Sequence, residues 1–170
     1  IFYMIDDVDS YTSEVKWAVN SGIIPVNSAT KFSPDASISR IDVVKSLYAF
    51  NGYDASVNNN STNNDRSKHR NIINSIGYSD LNSSYDDDLD SVVWAYNKGI
   101  ISKDTAFNPS VACTRAQLVT MLYRMDGSPQ VSGSNPFTDT KEGSWYYNAI
   151  LWGYNFAEQW EYALQMNPDI

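Results

Sequence analysis

The chain has one cysteine, Cys113, and one histidine, His69. A single thiol excludes an internal disulfide. One histidine leaves no Ser-His-Asp or Cys-His set to argue. Cys113 sits just before a helix-capping threonine, which suits a packed thiol rather than a nucleophile. Basic residues are few: 12 Lys and Arg stand against 20 Asp and Glu, a formal net charge of −8. Nucleic acid needs a basic face, so none is expected as a partner. An anionic glycan is still allowed, because local Arg and helix ends set the field at a site. No run of 18 apolar residues exists, so no membrane span is expected. The chain opens at Ile1 without a secretory leader, the expectation for a mature fragment.

The acidic runs Asp6-Asp7-Val8-Asp9 and Asp86-Asp87-Asp88 lack EF-hand spacing, with no Gly at the sixth place and no Glu at the twelfth. No metal and no cofactor is expected. Both runs precede first helices, where acids favour the positive end of the dipole. Aromatics are plentiful at 14%, with 12 Tyr and 5 Trp. That suits carbohydrate stacking, although buried Tyr and Trp are the plainer account. At 170 residues the chain suits one domain with a real core.

What the chain has in quantity is repetition. Trp17-Ala18-Val19-Asn20-Ser21-Gly22-Ile23-Ile24 returns as Trp94-Ala95-Tyr96-Asn97-Lys98-Gly99-Ile100-Ile101. Phe32-Ser33-Pro34 returns as Phe107-Asn108-Pro109, and Ser39-Arg40-Ile41-Asp42 as Thr114-Arg115-Ala116-Gln117. Arg40 to Arg115 is 75 residues, as is Tyr48 to Tyr123; Trp17 to Trp94 is 77. A third copy starts at Phe137-Thr138-Asp139 and carries Trp145 and Trp152. One helix-turn-helix unit cannot bury its apolar face alone, so the copies must pack on each other.

First helices are expected near 13–21 and 88–98, ended by Gly22 and Gly99 in left-handed caps. Second helices open at capping boxes, Ser39 with Asp42 and Thr114 with Gln117. Ile41, Val44, Leu47 and Tyr48 form one apolar stripe; Leu118, Val119, Leu122 and Met125 form the other. Asn51-Gly52 and Asp126-Gly127 stop these helices. Residues 54–70 read as a polar inserted loop, being rich in Asn.

These spaced motifs resemble the S-layer homology family: an acid near the first helix, Trp-Ala, Gly-Ile, Phe-x-Pro, then a Thr-Arg-Ala-Glu-like opening of the second helix. The resemblance implies an all-α fold of helix-turn-helix repeats around a pseudo-threefold axis. Repeat one spans about 5–52, the insert 54–70, repeat two about 78–127 and a partial repeat three about 136–155. A helical tail, 156–170, is unassigned; Phe156, Trp160, Ala163 and Leu164 give it an amphipathic spacing. The resemblance also implies a non-catalytic role outside the cell, tethering a fused passenger to the bacterial wall or S-layer through a secondary cell-wall polysaccharide, often pyruvylated. Two other readings stay open: an assembly module without glycan binding, and the anchor fragment of a larger glycan-active enzyme.

Arg40 and Arg115 are the leading ligand-binding candidates. Each takes the first helical position, where free backbone N–H groups favour an anion and an Arg is unfavourable for the helix itself. A guanidinium fork matches a carboxylate such as a pyruvate ketal. Arg115 is expected to matter more, because copy two keeps the closer motif. Ser39, Thr114, Asp42 and Gln117 are caps first and ligand contacts second. Trp17 and Trp94 can stack on a sugar, but beside Val and Ala they read as inter-repeat core. Trp152 is expected to be buried with them. Glu158 and Glu161 lie on a solvated side and make no glycosidase pair.

Overall fold

The computed structural model describes residues 12–24, 32–52 and 63–166, with side chains at 13–24, 32–52 and 65–157. The acidic run at 6–9 and the copy-one turn at 25–31 lie outside the described residues. The elements are α1 (Thr12–Asn20), α2 (Arg40–Phe50), α3 (Asn63–Ile76), α4 (Leu89–Asn97), α5 (Arg115–Met125) and α6 (Tyr147–Met166), with a short 3₁₀ turn at Ser83–Tyr85. The protein is all-α. Among the described residues the only strand-like pairing is a single bridge of Ser39 opposite Ala112. Two compact units divide between Cys113 and Thr114.

The copies agree down to backbone angles. Gly22 and Gly99 end the first helices at φ +70° and +71°. The Ile23 and Ile100 N–H groups then reach back to the Ala18 and Ala95 carbonyls, at 2.9 and 2.8 Å. A side chain at that φ would be strained, so glycine makes the stop. The middle residues of the two Phe-x-Pro turns, Ser33 and Asn108, share a left-handed φ of 58° and 59°.

In the first unit, α2 packs on α4 and α4 on α3. Val44, Ile73, Ile76, Leu81, Leu89, Val92, Ile100 and Phe107 are almost wholly buried. The α2 stripe is as expected at Ile41, Val44 and Leu47, with Val43 added. In the second unit α5 packs on α6. The expected α5 stripe does not coincide with the buried residues: Thr120 and Met121 are buried, Val119, Leu122 and Met125 are half-buried, and Leu118 is 38% exposed. Periodicity marks which residues are apolar, not which side a neighbour covers. Here α6 comes close at Gly153, where an added Cβ would meet the Val119 methyl at 3.0 Å.

The insert is not simply a loop, since α3 begins at Asn63. Its average composition is polar, but Ile73 and Ile76 anchor it in the core. Its cations bind the acidic run beside α4. Arg66 pairs with Asp87, and Arg70 with Asp86 and the Leu81 and Asn82 carbonyls. His69 Nδ1 faces the Asp90 carboxylate. Lys45 of α2 reaches Asp88 at 2.7 Å. Mean composition hid this helix because two buried isoleucines and a few specific ion-pair partners hold it, not its average apolar content.

The third copy ends differently. Position 157, five after Trp152, is Ala where the other copies have Gly22 and Gly99. Nothing stops the helix there, and α6 runs 20 residues against 9 for α1 and α4.

Candidate functional site: the second-helix openings

Arg40 and Arg115 do take the first positions of α2 and α5, behind the N-caps Ser39 and Thr114. The two caps differ. Thr114 and Gln117 make the reciprocal box: the Gln117 N–H donates to Thr114 Oγ1 at 3.2 Å and the Thr114 N–H to Gln117 Oε1 at 2.9 Å. The Asp42 N–H likewise donates to Ser39 Oγ, but the shorter Asp42 carboxylate takes the Ser39 hydroxyl at 2.5 Å instead of reaching the backbone. All four side chains are engaged as caps.

At α2 the expectation of free N–H groups fails. The Arg40 N–H donates to the Val111 carbonyl at 2.9 Å and the Ile41 N–H to Pro109 at 3.0 Å. The turn after the second copy's first helix therefore caps the first copy's second helix. The Cys113 N–H to Ile38 carbonyl bond, 2.9 Å, extends the same docking.

That turn is held by Asp80. Its carboxylate accepts the Phe107 N–H at 2.8 Å and the Asn108 N–H at 2.6 Å. Asp80 was missed in the sequence. The signal was there: Tyr78-Ser79-Asp80 matches Phe137-Thr138-Asp139 at nearly the same distance from Trp94 and Trp152.

The turn places Phe107, 1% exposed, beneath Arg40. The guanidinium carbon lies 5.1 Å from the ring centre, a cation–π distance. Tyr78 tilts against the same ring, centres 5.5 Å apart, and donates its hydroxyl to the Ser102 carbonyl at 2.5 Å. Burial pushes the Tyr78 hydroxyl up to about 12, with Arg40 pulling it back in part. Burial also pushes the Cys113 thiol up, again against Arg40. Both groups stay neutral at pH 7, so they leave the guanidinium charge uncompensated. Its Nε is buried without a hydrogen bond. Among the described residues no carboxylate pairs with Arg40, although Lys45, Arg66, Lys68 and Arg70 each have an acid.

Arg115 is exposed, with no ring or acid against it among the described residues. The tryptophans also separate. Trp94 is half-buried, edge-on to Tyr48 at 5.4 Å. Trp152 is half-buried rather than buried, against Tyr123 at 5.9 Å and Phe156 at 5.6 Å, with its Nε1 donating to Asp126. Trp17 is 58% exposed, which overturns its assignment to the core. Each half-buried Trp meets a Tyr from the preceding copy's second helix, and no such Tyr meets Trp17 among the described residues. Trp145 is 59% exposed. His69 lies with the α3 ion pairs, and no group of acids, His and Cys among the described residues could hold a metal.

Two-helix units therefore recur, with the first two first helices stopped by glycine and the second copy's turn capping the first copy's second helix. The family model for the S-layer homology domain matches residues 5–44 and 77–119, and the chain carries S-layer homology repeats at both places. These are non-catalytic cell-wall anchoring modules that bind cell-wall polymers, which places the chain at the bacterial cell surface. No curated protein and no solved structure matches the chain. No described helix is long and apolar enough to cross a membrane.

Proposed function

We propose that the module binds an anionic secondary cell-wall polysaccharide, gripping acidic substituents such as pyruvate ketals at the second-helix openings, where Arg40 is the better-built of the two arginines, and so holds a fused passenger at the wall. The observation that carries this reading is Arg40, which has no ion pair among the described residues and a buried Nε without a hydrogen bond. In a chain of net charge −8, a half-buried guanidinium without an acid among the described residues is costly to keep. An incoming carboxylate supplies the missing charge and fits the fork bidentately. Trp17, exposed on α1, offers a face for sugar stacking.

The test is retention of the chain on wall sacculi before and after the non-peptidoglycan polymer is stripped. Retention only before stripping is expected. Equal retention on both preparations, or on neither, would leave the assembly-module reading in its place.

A further inference from the structure

We infer that Phe107 is the positioning residue of the anion site, and that this chain therefore builds the complete site once, at Arg40. The inference rests on the reading of Arg40 as the anion grip. It names the residue that aims the grip and predicts which of the two arginines works.

One turn fixes Arg40 at both ends. Its Pro109 and Val111 carbonyls take the Ile41 and Arg40 N–H groups, which sets the backbone. Its Phe107 ring lies under the guanidinium, which sets the charge. Asp80 fixes the turn through two backbone N–H groups, and Tyr78 backs the ring. A long Arg side chain otherwise loses much rotamer freedom when a ligand binds. Here that loss is already made in the empty protein, so more of the ligand contact appears as affinity.

At α5 none of these parts is present. Among the described residues the Arg115 and Ala116 N–H groups have no acceptor and no ring lies under Arg115. The cause lies in the third copy. With Ala157 in the stop position α6 runs on to Met166, so the stretch where the other copies turn is helix, and residues 158–166 hold no Phe-x-Pro. Arg115 has the motif but not the platform, the reverse of the order that motif similarity alone suggests.

The experiment measures apparent affinity of the intact chain for wall sacculi bearing their non-peptidoglycan polymer, with thermal unfolding on every variant. Arg40→Gln should weaken binding about 10- to 100-fold, the loss of a charge-assisted contact. Arg115→Gln should stay within about twofold, the scatter expected at a site with no such contact. Phe107→Leu should weaken binding several-fold in the native background and add nothing to Arg40→Gln. A merely structural role would add equally in both backgrounds. If Phe107→Leu does not fold, Asp80→Asn loosens the same turn without emptying the core and should show the same dependence on Arg40. Equal losses for Arg40→Gln and Arg115→Gln, or a Phe107 effect that persists without Arg40, overturn the inference while leaving wall binding intact. A native chain that does not bind sacculi overturns the wall-binding reading, and this inference with it.

Discussion

Tyr48 of the first copy meets Trp94 of the second edge to face, ring centres 5.4 Å apart and planes at 68°. Tyr123 and Trp152, one copy later, repeat the pairing at 5.9 Å and 52°. The contact therefore belongs to the repeat and joins each second helix to the next first helix. A double-mutant cycle with Tyr48→Leu and Trp94→Leu should give a coupling of about 0.5–1.5 kcal/mol in unfolding free energy, the usual worth of an aromatic pair. Additive losses would mean the rings merely fill space.

Asp80 accepts two backbone N–H groups of one turn. Replacing it with Ala strands both beside a buried ring. The expected loss of stability is about 2–4 kcal/mol, from two charge-assisted bonds. Urea unfolding of Asp80→Ala beside the native chain measures it, and a loss under about 0.5 kcal/mol would show the turn stands without its anchor.

Alkaline pH should loosen the first unit through Tyr78. An unfolded tyrosine titrates near 10, while the folded Tyr78 is raised to about 12. The fold thus favours the neutral hydroxyl. That stabilisation is complete below pH 10 and is lost as pH rises through 12. Urea midpoints of the native chain should fall more steeply over this window than those of Tyr78→Phe, and parallel curves would assign the fall to other groups.

The docking of α3 should depend on salt. Its pairs with Asp86 and Asp87 are partly exposed, and the Debye length shrinks from about 10 Å at 0.1 M to about 3 Å at 1 M. Hydrogen exchange of the α3 amides should speed up between these salt concentrations, with α5 little changed. Arg70→Gln removes an ion pair and two carbonyl bonds and should cost about 1–3 kcal/mol. Salt-independent exchange in α3 would credit Ile73 and Ile76 alone.

The fold was legible where one residue acts through its own backbone. Gly22 and Gly99 marked helix ends, and Ser39 and Thr114 marked helix starts, because caps and left-handed turns are local. The sequence was less informative where a partner decides. Arg66 and Arg70 of α3 became a clamp only beside Asp87 and Asp86, 16 or more residues along the chain. Trp17 and Trp94 share a motif but differ in exposure, and among the described residues only Trp94 has a tyrosine against it. The Arg40 site depended on Phe107, 67 residues away, and the repeat of Arg40 at 115 did not say whether the phenylalanine was repeated with it.

The alanine at position 157 has a consequence that can be stated as valence. Each copy with a turn offers a tyrosine to the copy after it and a tryptophan to the copy before. A copy whose first helix cannot turn keeps its tryptophan but has no tyrosine to offer. Three tryptophans, 17, 94 and 152, take this place in the repeat, against two tyrosines, 48 and 123. Among the described residues Trp17 is the one of the three without such a tyrosine, and it stands in the open. Glycine at the end of a short helix thereby settles how many links a row of repeats can form.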